Sequence, residues 1–258
     1  MRDLDLLIDA ARKAGDVAVA YFHGKNDVRY KPDDAGPVSD ADIAVDRLLS
    51  DHLQTARPDY GWLSEETEDS AARLSTERQF IVDPIDGTRS FVDGSNTWAH
   101  SLAVVDNGRV TAAVVYLPLR DLLYAAEIGQ GATLNGQAIQ ATTRPSVHGA
   151  SVLAARPALR EDIWPGGLPQ VKRAYRPSLA YRLCLVAEGR FDAMLTLRGS
   201  WEWDIAAGAL ILSEAGATVT DQRGQPLRFN NPHPQNDGVI AAGAAVHRGL
   251  LAGLGMGV

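Results

Sequence analysis

Apolar residues recur at helical spacing near the start of the chain, which predicts two amphipathic helices. The first covers residues 3–23, and its polar face is not basic enough to favour a membrane-surface role over core packing. Its apolar stripe consists of Leu4, Leu7, Ile8, Ala11, Ala18 and Phe22. The polar segment 24–38 contains turn signals and separates it from the second helix. That helical pattern begins after Ser39 with Ile43, Leu48, Leu49 and Leu53.

From residue 60 onward, short apolar runs bounded by polar turns predict β-strands. One run ends in Glu65-Glu66, and the next, residues 80–82, ends directly before Asp83. An Asn-Gly pair at 107–108 predicts a hairpin, and another at 135–136 continues an antiparallel sheet. The apolar runs of this sheet lie at 102–105, 110–116 and 122–126, and none of them carries residues that indicate catalysis.

Strands and helices alternate in the second half of the chain, which indicates an α+β or α/β fold. The composition shifts towards Thr, Pro and Ser near residues 140–150. We therefore expect an N-terminal α+β domain over residues 1–143 and a C-terminal α/β domain over residues 144–258. Expected strands lie at 152–154, 191–197, 218–220 and 238–241, and expected helices, each followed by a terminating glycine, lie at 179–188 and 204–215.

Composition and charge exclude some classes of function. The 258 residues carry a net charge of −7, so the chain lacks the basic surface that binding to a nucleic acid polymer requires. No apolar run is long enough to span a membrane, and Met1 is not followed by the apolar segment of a signal peptide. We therefore expect a cytoplasmic protein without a membrane partner. Cys184 is the single cysteine and has apolar neighbours, which predicts a buried and unreactive thiol.

The stretch with the clearest chemistry is 82–88, Val-Asp-Pro-Ile-Asp-Gly-Thr, which follows the apolar run 80–82. Pro84 lacks an N–H donor, so we expect the chain to turn there rather than continue a ladder. Gly87 allows a ligand to approach the backbone, and the Gly87-Thr88 pair resembles a phosphate-binding turn at a helix start. A bare pair of aspartates is most often a surface turn, but the full heptapeptide indicates a hard cation held beside a phosphate.

Three other acids have both a structural and a functional interpretation. Asp42 follows Ser39 by three residues and can complete a capping box, although Glu or Gln is the usual partner. Asp204 lies near a predicted helix start, where a carboxylate often serves as a cap. Glu65 ends a predicted strand and could reach the cation of the neighbouring strand, whereas Glu66 would point to the opposite face.

Residues 83–88 resemble the D-P-[IL]-D-G-T signature of the inositol monophosphatase family of metal-dependent phosphatases. The stretches 203–208, which runs into 214–216, and 129–136 are similar to two further motifs of that family. The resemblance covers nearly the whole chain in the family's order. It implies a layered αβαβα sandwich of the sugar-phosphatase type, a homodimer, and lithium-sensitive, Mg²⁺-dependent hydrolysis of a small soluble phosphate monoester of the inositol 1-phosphate type. A 3′(2′),5′-bisphosphate nucleotidase or a histidinol-phosphate phosphatase is the alternative. The metal ligands that the resemblance implies are all oxygen atoms, which agrees with a hard cation rather than zinc.

The resemblance also implies roles for individual residues. Two or three Mg²⁺ ions are expected, one held by Glu65, Asp83 and the Ile85 carbonyl, and another held by Asp83, Asp86 and Asp204. Thr88, backed by Asp42, would orient the attacking water or take its proton, and Glu65 belongs to the same catalytic set. Phosphate would be bound at Asp86, Gly87 and Thr88. A catalytically silent binding protein on the same fold is the alternative, but every expected acid is present.

The substrate is less well determined by the sequence. Family members cleave inositol monophosphates, 3′(2′),5′-bisphosphate nucleotides, histidinol phosphate or fructose 1,6-bisphosphate. Residues 89–91 resemble histidinol phosphatases or bisphosphate nucleotidases more than inositol enzymes, and residues 31–42 resemble nucleotidases loosely. Leu197 stands where inositol-specific relatives carry a glutamate, so we expect a broad or non-inositol preference. Candidate substrate contacts are Ser178, Arg182 and Arg198, although Arg198 could equally be a surface arginine.

Overall fold

The computed structural model describes residues 1–30 and 36–256, and these residues form five alternating layers of helices and sheets. The order is helix pair, seven-stranded sheet, helix pair, five-stranded sheet and a final helix. This arrangement confirms the predicted layered αβαβα fold. Residues 31–35, part of the stretch that resembles nucleotidases, lie outside the described residues.

Helices α1 (Asp3–His23) and α2 (Asp40–Ala56) form the first layer and confirm both amphipathic patterns. They bury an apolar face against one side of the seven-stranded sheet. The buried face of α1 is displaced from the predicted stripe, because Leu6, Ala10 and Ala14 are fully buried while Leu4 and Ile8 are only half-buried. Ser39 and Asp42 form a capping box at the start of α2, as the sequence predicts.

The seven-stranded sheet consists of β3 to β9 in sequential order, and within it β3 and β4 are parallel while the remaining neighbours are antiparallel. The predicted hairpin turns at Asn107 and Gly108, both of which have positive φ. The strands are β3 (Gly61–Ser64), β4 (Arg78–Asp86), β5 (Ala99–Asp106), β6 (Arg109–Leu117), β7 (Leu122–Glu127), β8 (Ala132–Leu134) and β9 (Gln137–Ala138). A separate pair, β1 (Val28–Tyr30) and β2 (Pro37–Ser39), precedes this sheet in the chain.

The ladder is interrupted at Pro84 as expected, but the expectation that the chain turns there is wrong. Strand β4 continues to Asp86, and its pairing with β5 is irregular between Asp83 and Asp86 before it resumes at Asp86 and Ala99. A bulge of this kind accommodates proline, because the missing N–H falls where the ladder is already interrupted. The short helix α3 (Thr88–Val92) follows directly and confirms the predicted helix start.

The second half of the chain supplies the middle helix pair and the second sheet. Helices α4 (Leu179–Ala187) and α5 (Glu202–Glu214) are buried between the two sheets, and Cys184 lies fully buried among their apolar residues, as predicted. Helix α5 begins two residues before the predicted start. The second sheet has the order β11, β10, β12, β16, β14, and α6 (Ala244–Gly253) covers its outer face. Its strands are β10 (Ser151–Leu153), β11 (Lys172–Ala174), β12 (Ala193–Thr196), β14 (Thr218–Thr220) and β16 (Val239–Ala242).

A second two-stranded pairing joins β13 (Ser200–Trp201) to β15 (Gln235–Asn236) beside the start of α5. The seven-stranded and five-stranded sheets come from the segments 61–138 and 151–242, and the division of the chain into two domains stays a prediction. Within residues 1–30 and 36–256, the helices are all too short or too polar to cross a membrane.

Candidate active site

Side-chain alternation and strand pairing bring Glu65 beside Asp83. Leu63 and Ile81 pair across the parallel strands β3 and β4, and both belong to the core on the side of the middle helices. Glu65 and Asp83 each follow two residues later, so their side chains point towards the same layer. The Glu65 backbone N–H donates to the Val82 carbonyl at 3.2 Å, which extends the parallel ladder to the first acid.

Asp204 reaches the same place from the first turn of α5. This helix packs against β4, β5 and β6, and its start is fixed by a hydrogen bond of 2.8 Å from the Ser101 hydroxyl to the Trp203 carbonyl. Trp201 occupies the N-cap position, so Asp204 is not the cap that one interpretation of the sequence suggested. Carboxylate oxygens of Glu65, Asp83 and Asp204 all lie within 4.8 Å of one another.

These acids repel one another in a buried environment. Burial, followed by the negative charges of Glu65 and Asp86, raises the pKa of Asp83 well above its usual range. Burial and the charges of Asp86 and Glu65 raise the pKa of Asp204 in the same way. Oδ1 of Asp83 accepts from the Ile85 N–H at 3.0 Å, whereas Oδ2 is buried and has no hydrogen-bond donor among the described residues. An oxygen-only cluster with an unpaired buried oxygen fits a hard divalent cation.

Asp86 lies at the edge of this cluster and is held by the second half of the chain. Its Oδ2 accepts from the Ser178 hydroxyl and from the Ala180 N–H, both at 2.6 Å. Burial raises the pKa of Asp86, while these hydrogen bonds oppose the increase. Ser178 is also the N-cap of α4 and accepts from the Tyr181 N–H at 3.0 Å. Its hydroxyl is therefore already bonded within the protein, and its expected substrate contact stays a prediction.

Asp42 and Thr88 form a buried pair next to the cluster. The Thr88 hydroxyl lies 3.1 Å from Oδ1 of Asp42 and 3.2 Å from the Ile85 carbonyl oxygen, so its proton can go to either acceptor. Oδ2 of Asp42 accepts from the Ser39 N–H at 2.8 Å and from the Ser39 hydroxyl at 2.6 Å. Both interpretations of Asp42 are compatible with this geometry, because one oxygen caps α2 and the other faces Thr88. Burial raises the pKa of Asp42.

The backbone changes direction at Gly87, which has a φ of 100°. This is a left-handed conformation in which a residue with a Cβ is strained, so glycine is required by the turn rather than by lack of space. The turn places Gly87 and Thr88 in the wall of a cavity of about 440 Å³ that also contains Glu65, Asp83 and Asp204.

A second cavity of about 610 Å³ shares Asp86 and Asp204 with the first and extends towards the second sheet. Its polar side contains Arg89, Arg182 and Arg198, and its other walls include Leu197, as the sequence predicts, and Tyr175. The Arg182 guanidinium lies over the Tyr175 ring at 4.7 Å from the ring centre. Arg198 is exposed to solvent, and its charge opposes the raised pKa of Asp204.

The two tryptophans that flank Asp204 in sequence pack on each other. The rings of Trp201 and Trp203 are stacked, with centres 4.7 Å apart and an angle of 7° between their planes. Both line the first cavity. Parallel rings in contact leave no space for a cation between them, which favours the predicted role as a packed wall over an aromatic cage.

Comparison with known proteins places this geometry in a family. A sequence model described as the inositol monophosphatase family matches residues 2–254. The chain belongs to the inositol monophosphatase family. It is a phosphoric monoester hydrolase of that family, which confirms the enzyme class expected from the sequence.

Characterised members of the family are similar along most of their length. An inositol-1-monophosphatase of Rhizobium meliloti is 33% identical over 86% of this chain and 86% of the relative. The 3′(2′),5′-bisphosphate nucleotidase CysQ of Escherichia coli is 32% identical over 88% of this chain and 93% of the relative. An IMPase structure from Thermotoga maritima has a TM-score of 0.83 and 29% identity, covering 99% of this chain and 97% of that one.

Sequence reasoning missed two residues of this family member's site. Asp46 on α2 is buried and accepts from the Ser64 hydroxyl at 2.5 Å and the Thr67 hydroxyl at 2.7 Å, so it holds the segment on both sides of Glu65. The signal was its position four residues after Asp42, on the face that otherwise buries apolar residues. Arg89 lines both cavities and follows Thr88 directly, but the sequence did not indicate where its side chain lies.

Proposed function

We propose that this enzyme hydrolyses a small soluble phosphate monoester with Mg²⁺ as its cofactor. The observation that supports the proposal most strongly is the group formed by Glu65, Asp83 and Asp204, whose oxygens lie within 4.8 Å of one another. Within the part of the chain that the structure describes, Oδ2 of Asp83 is buried and has no hydrogen-bond donor. Such a group is unfavourable by itself and becomes favourable around a divalent cation.

The proposed ligands are Glu65, Asp83, the Ile85 carbonyl, Asp86 and Asp204. Two or three ions are expected, and the second set, which includes Asp86, is supported by its position in the same cavity as Asp83 and Asp204. When bound, Mg²⁺ neutralises phosphate charge and lowers the pKa of water, so that water can attack at neutral pH. Ser178 and Ala180 both donate to Oδ2 of Asp86. Oδ1 is therefore the proposed cation ligand of this residue.

The protein groups would then orient the attacking water. When the Thr88 hydroxyl donates to Asp42, its oxygen lone pairs are available to accept a hydrogen bond from water in the cavity. Asp42 cannot turn away, because its other oxygen is held by both the N–H and the hydroxyl of Ser39. Thr88 would therefore orient the water. Asp42 would hold the Thr88 hydroxyl in place and accept the proton of that hydroxyl.

The phosphate group is proposed to lie at the Gly87 turn, where backbone N–H groups of Gly87 and Thr88 can donate to its oxygens. Phosphoryl transfer has a loose transition state, so positioning and charge neutralisation provide most of the acceleration. A catalytically silent role is disfavoured because Glu65, Asp83, Asp86 and Asp204 converge in the wall of one cavity.

The second cavity favours a 3′(2′),5′-bisphosphate nucleotide over inositol 1-phosphate as the substrate. Arg182 and Arg198 can pair with a second phosphate, and its volume of about 610 Å³ leaves space for a nucleoside between Leu197 and Tyr175. Inositol 1-phosphate is the second candidate, supported by the similarity to the Rhizobium enzyme. Its hydroxyls would meet the Leu197 side chain, which cannot form a hydrogen bond.

A panel of phosphate-release assays with Mg²⁺ tests the substrate class. The panel contains 3′-phosphoadenosine 5′-phosphate, inositol 1-phosphate, histidinol phosphate and fructose 1,6-bisphosphate, each with wild type and Leu197→Glu. We expect the nucleotide to have the highest kcat/KM, and the variant to shift the ratio towards inositol 1-phosphate. If wild type prefers inositol 1-phosphate by about a hundredfold, roughly 3 kcal/mol, then Leu197 does not determine specificity.

The assembly and location of the enzyme belong to the same proposal. We propose a homodimer in the cytoplasm, supported by the family resemblance. The net charge of −7 supports a small-molecule substrate rather than a nucleic acid polymer.

A further inference from the structure

A fully buried carboxylate lies two residues before Asp204. Glu202 is the first residue of α5 and is 0% exposed, yet its hydrogen bonds go to a distant loop. Its Oε2 accepts from the Asn230 N–H at 2.6 Å, and its Oε1 accepts from the N–H and the side-chain amide of Asn231 at 2.9 and 2.7 Å. The start of α5 is therefore anchored to residues 230–231.

The same loop is held from the other side by a buried arginine. Arg73 is 2% exposed, and its guanidinium donates to the Asn230 side-chain oxygen at 2.7 Å and to the Asn231 carbonyl at 3.0 Å. It also forms a two-pronged ion pair with Asp69, at 2.6 and 2.8 Å. Asp69 lies four residues after Glu65, so the arginine anchors the segment that leaves the first metal-ligand candidate.

These contacts form a continuous bridge between two segments that are far apart in sequence. It runs from Asp69 through Arg73 and the loop 230–231 to Glu202, and we call it the Arg73–Glu202 bridge. Glu65 precedes one end by four residues and Asp204 follows the other end by two. Each acid also has a separate anchor, since Asp46 holds Ser64 and Thr67, and Ser101 holds the Trp203 carbonyl.

Stability alone does not account for a bridge of this composition. Burying ionised side chains costs several kcal/mol each, and apolar replacements of similar volume are often as stable. Buried charges do specify geometry, because their hydrogen bonds are directional and a shifted arrangement would leave them unpaired. Every charged end of the bridge is hydrogen-bonded, so it fixes the separation between its two ends.

We propose that Arg73 and Glu202 are positioning residues that hold Glu65 and Asp204 at the separation at which both bind the cation. The inference rests on the proposed cation dependence. Loosening the bridge separates the two ligands and weakens cation binding, whereas the substrate groups around Arg182 and Leu197 are not part of it. Partners that orient metal ligands typically change metal affinity about 10- to 100-fold when they are replaced, and we expect an effect in that range.

The test is calorimetric titration of substrate-free protein with Mn²⁺, a Mg²⁺ analogue, using wild type, Glu202→Gln and Asn230→Gly. Glu202→Gln retains the shape but replaces one of two acceptor oxygens, which together accept from three donors, by an NH₂ group. Asn230→Gly tolerates the local φ of 61° and removes the acceptor for Arg73. Arg57→Lys is the matched control, because Arg57 also bonds an aspartate and a backbone carbonyl but lies away from the site.

We expect the dissociation constant for Mn²⁺ to rise about 10- to 100-fold in both bridge variants and to stay unchanged in Arg57→Lys, even where all three lower the melting temperature. The Mg²⁺ concentration for half-maximal activity should rise in parallel, with a smaller change in the KM for substrate. If folded Asn230→Gly and Glu202→Gln bind Mn²⁺ as tightly as wild type, the positioning role of the bridge is wrong, and the proposed function is unaffected. Absence of Mn²⁺ binding to wild type would overturn the proposed function as well.

Discussion

At the scale of single residues, Asp42 combines a capping contact at the start of α2 with a contact to Thr88 in the candidate site. Asp42 accepts two hydrogen bonds from Ser39 through one oxygen and faces the Thr88 hydroxyl with the other. The sequence left open whether Asp42 is a cap or a site residue. Only the fold shows that both contacts occur together, because the contact with Thr88 spans 46 positions of the chain.

Replacing Thr88 by Ala should lower kcat while leaving cation binding close to normal. The hydroxyl is proposed to orient the attacking water, and loss of such a group costs about 10²-fold or more. Thr88→Ser retains the hydroxyl and is the matched control. Steady-state kinetics with saturating Mg²⁺ decide the question, since a change in KM with unchanged kcat would contradict the role.

His100 gives the protein a pH-dependent stability of its own. The ring is fully buried between Trp98 and Tyr116, its Nδ1 pairs with the Pro84 carbonyl, and burial lowers its pKa to about 4. The unfolded chain, with an ordinary histidine pKa near 6.5, binds this proton at higher pH than the folded chain. Stability contributed by neutral His100 is therefore present above about pH 6.5 and is lost as pH falls towards 4.

The prediction concerns the difference between wild type and His100→Asn, which retains a donor near the Nδ1 position without a titrating ring. Urea unfolding between pH 4 and 6.5 should show a steeper fall in the free energy of unfolding for wild type, by up to about 1.4 kcal/mol per pH unit. Equal slopes in the two proteins would show that His100 is not the responsible group.

At the scale of elements, local patterns predicted the elements and long-range contacts decided where some of them begin or end. Helices α1 and α2 follow from their periodicity, and the 107–108 hairpin follows from its turn residues. The end of β4 and the start of α5 do not follow from local patterns. Proline is tolerated in β4 because a bulge interrupts the ladder there, and α5 begins early because Glu202 is held by residues 230–231.

The capping box makes a prediction about α2. Ser39→Ala removes the hydroxyl that donates to Asp42 but leaves the backbone bond, so the free energy of unfolding should fall by about 1 kcal/mol. Since Asp42 loses one of its fixed contacts, kcat should fall as well. Ser39→Thr retains the hydroxyl, so both the free energy of unfolding and kcat should stay near their wild-type values. Chemical denaturation and steady-state assays measure the two quantities.

At the scale of the whole molecule, five layers bring together acids from three distant segments. Glu65 and Asp83 come from adjacent parallel strands of the seven-stranded sheet, and Asp204 comes from the helix layer that covers them. Sequence motifs indicated these three acids, because each motif is local. Asp46, Arg89 and the Arg73–Glu202 bridge could not be found that way, since their roles depend on which segments the layers place side by side.

The most direct test of the account is phosphate release from 3′-phosphoadenosine 5′-phosphate and inositol 1-phosphate by EDTA-treated enzyme, before and after Mg²⁺ is restored. Asp83→Asn, which preserves shape but removes the charge of a buried acid at the centre of the cluster, is assayed beside wild type. We expect no turnover without Mg²⁺, full recovery with it, and a loss of about 10³-fold or more in the variant, equivalent to about 4 kcal/mol. Full activity in metal-free wild type, or a near wild-type rate in Asp83→Asn, would contradict the cation site.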